Sequence, residues 1–366
     1  MPSLNAVFMG TPEIASESLS HIAELEKLNV IGLKSVYTKP PVWNNKKKEF
    51  AASPVNKLAI ERGINVRTPK NLKNNTEEID FLKSLDLDLI IVVAFGIILP
   101  AEILNIPKYG VLNLHPSLLP DLRGPSPIHY AILKRMKFSG VSIMALDSGV
   151  DTGPIIAQQR TDIDKNEYFP DLYKRLSLSG AFLLAEVIKT VSKLKINIHK
   201  CGLPQDSISS GSFSLTKLIE PDELKVDFFF DDPLEIYAKT RAFTEAGGAF
   251  FVFGNKKIKI IEAGLIADEK DKEIKEKCFD NAGEHAIFDY CDYADYPPYS
   301  QENLKNEMNA LPPGIIISAN KSGLLVSTVK KGVYIRLFKL KPEGKNVMNY
   351  IDFINGFRIK QGEECR

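Results

Sequence analysis

The chain has 366 residues, 44% hydrophobic and 25% charged, with 47 Lys and Arg against 46 Asp and Glu. That is ordinary globular composition, and the length suits about two domains, each with a real core. A net charge of +1 excludes a molecule that binds polyanions with its whole surface, so any nucleic-acid contact falls to a local patch.

Taken in chain order, short apolar runs alternate with helical patterns. Residues 5–9 read as a buried strand, followed by Gly10-Thr11-Pro12-Glu13 and a helical stretch. Residues 29–37 read as a second strand. Over 53–63 the punctuation is that of a helix: Ser53 as N-cap, Pro54 in the first turn, Gly63 past the end. Residues 88–94 are continuously apolar, as in a strand covered on both faces. Residues 111–115 and 140–147 are further strands. Residues 168–192 form a long amphipathic helix with Leu172, Leu176, Leu183, Leu184, Val187 and Val191 on one face. The alternation predicts a doubly wound, mostly parallel, Rossmann-like sheet over 1–203. Residues 204–216 are small and polar, a linker pattern. Beyond them, 217–366 read mainly as β, with Gly254-Asn255 between two runs as a hairpin signal. That predicts a smaller OB-like β-barrel domain. Residues 268–312 are acidic and poorly periodic, an insertion in that domain.

The four cysteines, Cys201, Cys278, Cys291 and Cys365, form no C-x-x-C pair, which suits a reducing compartment. No secretory pattern opens the chain, and no apolar run approaches the roughly 18 residues of a membrane span. The expectation is a cytoplasmic protein with no membrane contact. Nothing indicates an obligate protein partner.

The chemistry concentrates between Val111 and Gly153. On a strand over 111–115, Asn113 and His115 are two apart and share a face. They lie at the strand's carboxyl end, where open α/β sheets bind ligands. Pro116, Pro120, Pro125 and Pro127 stiffen the loop that follows, and Asp151 comes in the turn after the next strand. An amide, an imidazole and a carboxylate suit acyl transfer. Histidine accepts a proton from an attacking amine, asparagine donates to the oxyanion, and aspartate orients and charges the imidazole. No Ser or Cys stands in a nucleophile-elbow context, which favours direct attack by the acceptor amine. Spacing alone fits a structural histidine as well.

The run Asn113-Leu114-His115-Pro116-Ser117-Leu118-Leu119-Pro120, then Arg123-Gly124, a Gly-Val-x-Ile strand at 140–143 and Asp151-Thr152-Gly153, resembles the folate-dependent formyltransferase family. The resemblance implies that Asn113, His115 and Asp151 are the catalytic trio and that the donor is 10-formyltetrahydrofolate, a co-substrate. It implies a folate pocket along Phe95, Gly96, Ser117, Leu118, Leu119, Pro120 and Asp147. Val7 to Glu13, Tyr37 to Pro40 and Ser53 to Val55 make the chain most similar to the family members that formylate methionyl initiator tRNA. Val226-Asp227-Phe228 and Arg241-Ala242 extend that likeness into the second domain. The sequence departs from the family pattern in the loop after Pro40, which reads PVWNNKKKEF, at Pro116 where Gly is common, and after Ala242. A formyltransferase acting on an amino-sugar nucleotide is the alternative, since it shares the catalytic core.

Contact with tRNA then falls to Gly10 and Thr11 at the first strand-to-helix turn, whose amides face an anion, and to a basic loop of Lys39, Trp43, Lys46, Lys47 and Lys48. Arg123 reads as a loop anchor or, preferably, a substrate contact. Residues 313–366 hold ten Lys and Arg against four acids, a local +6 that suits an RNA-backbone surface. Cys278, His285 and Cys291 match no zinc spacing, so no metal is expected.

Overall fold

The structure, a computed structural model, describes residues 3–45, 48–208, 213–244, 247–267, 288–289, 312–321 and 323–366. It divides into two compact units. The first comprises Met1–Ile128, Phe138–Asp162 and Asp171–Lys217, and the second His129–Lys137, Ile163–Pro170 and Leu218–Arg366.

The elements up to residue 194 are β1 (Leu4–Gly10), α1 (Glu13–Lys27), β2 (Ile31–Tyr37), β3 (Val42–Asn44), β4 (Glu49–Ala51), α2 (Pro54–Glu61), β5 (Val66–Arg67), α3 (Thr76–Ser84), β6 (Leu89–Val93), α4 (Ala101–Leu104), β7 (Val111–His115), α5 (Pro127–Leu133), β8 (Phe138–Ala145), β9 (Ile155–Asp162) and α6 (Phe169–Leu194). The main sheet runs β5-β2-β1-β6-β7-β8-β9. Its first five strands are parallel, while β8 and β9 are antiparallel to their neighbours. The parallel part is doubly wound, as the alternation predicts. Strand β9 was not anticipated, because IIAQQRTD is mostly polar and largely uncovered.

Successive side chains of a strand point to opposite faces, and β1 feeds two cores in this way. Leu4, Ala6 and Phe8 pack with Ile14 and Leu19 of α1, Val55 of α2 and Ile188 of α6. Val7 and Met9 pack with Ile79 and Leu82 of α3 and Ile103 of α4. On β7, Leu112 and Leu114 join the first core and Val111 the second. Asn113 and His115 therefore project on the α3–α4 side, where the core ends. Local signals act as read: the Ser53 hydroxyl caps α2 by accepting from Asn56 N, and Gly63 sits at φ +70° beyond it.

The elements of the second half are α7 (Pro233–Ala242), β10 (Phe250–Phe253), β11 (Lys256–Ala267), β12 (Phe288–Asp289), β13 (Ile316–Asn320), β14 (Gly323–Ser327), β15 (Val333–Pro342), β16 (Met348–Asn349) and α8 (Tyr350–Phe357). All strand pairings are antiparallel, in the order β10-β11-β15-β14-β13 with β12 on β11 and β16 on β15. Gly254 and Asn255 make the two-residue turn between β10 and β11, where Phe253 pairs Lys256. The last residues join the two ends of the order. Gly362 N donates to Ile316 O and Cys365 N to Gly314 O on the β13 side, and Arg366 N to Val252 O on β10. Among the described residues the strands thus close on themselves and leave no long free edge, the barrel solution to edge pairing. Of the ten basic residues in 313–366, Arg336 is not on the surface: it is 1% exposed and lies against the Phe338 ring. Lys339 is paired with Glu262 at 2.7 Å. The basic face is therefore smaller than the count of charges suggests.

Most of the insertion 268–312, including Cys278, His285 and Cys291, lies outside the described residues, as do Lys46 and Lys47. No helix among the described residues is long and apolar enough to cross a membrane.

Candidate active site

Strand β7 delivers Asn113 and His115 side by side in register, opposite Met144 and Ser142 of β8. Both are buried. The imidazole is held at both nitrogens. Nε2 lies 2.9 Å from the Leu122 carbonyl oxygen, and Nδ1 lies 3.5 Å from Asp151 Oδ2. A carbonyl only accepts, so Nε2 carries a proton and Nδ1 is the nitrogen left for chemistry. Asp151 Oδ2 is itself held by the Gly124 N–H at 2.9 Å. The trio expected from the sequence is thus brought together, but the groups that orient it are backbone groups of the loop 122–124.

That loop returns sharply to the strand end. Leu122, Gly124, Ser126 and Asp151 all have positive φ. At Gly124 (φ +99°) a Cβ would stand 2.7 Å from Thr216 O, so only glycine fits there. The Ser117–Pro120 run is fastened from beneath by Ser142. Its hydroxyl donates to Ser117 O at 2.6 Å and accepts from Leu119 N at 3.0 Å and from Gln158 Nε2 at 2.9 Å. Ser117 turns inward and donates to Asp121 O. Ser117, Leu119 and Pro120 are buried. Leu118 is half-buried and lies over Gly140.

Arg123 is buried as well. It is 8% exposed, its Nε donates to Gln205 Oε1 at 2.8 Å, and its guanidinium lies 4.4 Å from the Phe213 ring centre. It anchors the loop. Described residues of the 204–216 segment bond to the same loop. Gln205 is buried, and Ser214 and Thr216 bond to Leu122 N and Arg123 O. Short polar residues gave it the composition of a linker because they serve here as hydrogen-bonding partners.

Gly10 ends β1 beside Val93 at the end of β6, where the strand order reverses direction. A Cβ on Gly10 would stand 2.6 Å from the Ala15 Cβ. Thr11 donates to Phe95 O at 2.9 Å, which ties this turn to Phe95 and Gly96. The amide of Ile14 donates to the Tyr173 hydroxyl at 2.9 Å. Phe95 is buried, Gly96 exposed at φ +72°, and the Lys39 ammonium lies against Gly96. Asp147 closes its own turn: Oδ1 accepts from Gly149 N and from the Thr152 hydroxyl.

The basic loop forms a β3–β4 hairpin. Val42, Trp43 and Phe50 are 71%, 48% and 68% exposed, and the two rings meet edge to face at 5.2 Å. Lys48 is exposed on the same hairpin. Among the described residues, no group of three or more His, Cys, Asp or Glu is placed to hold a metal ion.

Residues 5–188 match the formyl transferase family and residues 218–358 its C-terminal domain. A methionyl-tRNA formyltransferase of Caldicellulosiruptor saccharolyticus is 32% identical over 98% of this chain and 99% of its own. Another, from Fusobacterium nucleatum subsp. nucleatum, is 31% identical over 99% of both chains, and one from Wolbachia sp. subsp. Drosophila simulans is 37% identical over 75% of this chain and 86% of its own. Among solved structures, the sugar 3N-formyl transferase WlaRD superposes with a TM-score of 0.57 at 20% identity, covering 94% of this chain and all of that one. HypX from Aquifex aeolicus also superposes at 0.57, with 14% identity, covering 99% of this chain and 49% of that one. Those two likenesses concern the fold.

Proposed function

Because the chain belongs to the formyl transferase family, we propose that it moves the formyl group of 10-formyltetrahydrofolate onto the amino group of methionyl initiator tRNA, in the cytoplasm, at the start of translation. The observation that carries this is the meeting of Asn113, His115 and Asp151 at the end of β7, in a chain that matches methionyl-tRNA formyltransferases over nearly its full length.

The geometry supports the following division of labour. The amine attacks the formyl carbon, and the Asn113 amide donates to the oxygen as it takes on charge. His115 cannot use Nε2, which is tied to Leu122 O, so Nδ1 takes the proton lost by the amine. Nδ1 and Asp151 Oδ2 face each other at 3.5 Å, two acceptors when the imidazole is neutral. A proton arriving at Nδ1 faces the Asp151 carboxylate, which can accept its hydrogen bond. On collapse, the bond from the formyl carbon to the folate nitrogen breaks, and the proton passes from His115 to that nitrogen. Burial of Asn113 and His115 limits the access of water that would compete with the amine.

For the acceptor, the exposed Trp43–Phe50 pair and Lys48 on the same hairpin suit RNA: aromatic faces stack on bases, and cations meet phosphates. An amino-sugar nucleotide acceptor would leave this hairpin without a task. Purified protein is offered 10-formyltetrahydrofolate with charged initiator tRNA, charged elongator methionyl-tRNA and a nucleotide-linked amino sugar in parallel. Formylation of the first in preference to both others is expected. Turnover of the sugar alone would refute the assignment.

A further inference from the structure

One buried amide ties together the two loops on which the catalytic pair depends. Gln205 is 2% exposed and makes three hydrogen bonds. Its Nε2 donates to Asp151 O at 2.8 Å and to Gly153 O at 2.7 Å, and its Oε1 accepts from Arg123 Nε at 2.8 Å. Carbonyls only accept and guanidinium only donates, so the amide has one orientation. Asp151 needs such a hold. It is a non-glycine residue at φ +52°, a conformation disfavoured for side chains with a Cβ. The loop on the other side carries both groups that aim the pair, Leu122 O on His115 and Gly124 N on Asp151. The Gln205 side chain bonds to both loops at once.

Resting on the formyl-transfer reading, we propose that Gln205 is a positioning residue for the reaction: it sets where Asp151 stands relative to His115 Nδ1. Gln205 lies between the two family matches, which end at 188 and resume at 218. The polar stretch around it, with Ser214 and Thr216 on Leu122 and Arg123, is then part of the catalytic machinery. A misplacement of about 1 Å in such a pair costs up to about 10²-fold in rate.

The test is a double-mutant cycle on methionyl-tRNA formylation with Gln205→Ala, Asp151→Asn and both together. Expected are a kcat about 10- to 100-fold lower for Gln205→Ala, KM for folate and for tRNA within about twofold, and a double variant no worse than Asp151→Asn alone. A residue acting through Asp151 has nothing left to position once that carboxylate is gone. A normal kcat with only a lowered melting temperature, or losses that multiply, overturns the proposal. Should Gln205→Ala not fold, Gln205→Glu keeps the volume and the acceptor for Arg123 but gives up the paired donation to the two carbonyls. The same loss of kcat is expected of it, and normal turnover would be equally fatal. Wild-type protein in the same assay separates the two ideas. If it formylates a different amine, the acceptor assignment fails and the cycle is run with that amine.

Discussion

The end of β7 and the β3–β4 hairpin belong to the same unit and are built in opposite ways. Around His115, side chains are buried and their hydrogen bonds go to backbone groups of neighbouring loops, so each atom's place is set several times over. On the hairpin, three large apolar side chains stand in solvent, and the one ring contact is between neighbours across the turn. The first arrangement is the kind that holds groups still, as chemistry requires. The second leaves apolar surface uncovered at a cost that a binding partner would recover. Substitutions in the two regions should therefore fail in different ways: at β7 in turnover, at the hairpin in affinity.

The largest effect is expected at His115. His115→Ala should lower kcat by about 10²–10⁴-fold, with KM for tRNA little changed and the fold intact by thermal melting. Asn113→Ala should follow at about 10²–10³-fold, the usual loss for one oxyanion donor. A His115→Ala enzyme with near-normal kcat would remove the distinction between the regions. Next in size, Trp43→Ala should raise KM for tRNA by about tenfold, as one lost stacking contact is worth about 1–3 kcal/mol. Its kcat at saturating tRNA and its melting temperature should stay put, because a side chain 48% exposed supports little else. A smaller effect is expected for Lys48→Ala: a few-fold weaker tRNA binding, and a logarithmic salt dependence shallower by about one. An unchanged salt slope would mean that Lys48 meets no phosphate.

These outcomes follow how much of each region was legible in the sequence. Alternation on a five-residue strand puts Asn113 and His115 on one face, so that much is local information. Ser53 at the start of α2 and Gly254-Asn255 between β10 and β11 are local too. What stayed hidden was set by distant contacts. Gln205 meets Arg123 across 82 positions, and Ser214 meets Leu122 across 92, from a stretch whose composition resembles a linker. Arg123 read preferably as a substrate contact because nothing near it in the chain hints at Gln205 or Phe213. The tautomer of His115 depends on a backbone carbonyl, which no residue type reveals. The hairpin shows the reverse: its composition was plain, while its form as paired strands with Trp43 on Phe50 was not.

The smallest effect uses a second histidine as a control on the first. His129 is stacked on Phe169 at 4.1 Å between ring centres and lies 6.3 Å from Phe243. Burial alone pushes its pKa down from 6.5 to about 4. At His115, by contrast, a carbonyl and a carboxylate meet the two nitrogens. A histidine with a depressed folded pKa stabilises the fold fully above its unfolded value and loses that contribution as pH falls from about 6.5 towards 4, because the unfolded chain takes up the proton first. Between pH 7 and pH 5 this site should therefore withdraw about 1 kcal/mol of stability, after allowance for partial exposure. His129→Phe keeps the stacked ring and removes the titration. Urea unfolding at the two pH values should show a smaller acid-induced loss in the variant than in the wild type, and formylation at pH 7 should be unaffected. Equal losses would mean that the Phe169 face lets His129 charge in place.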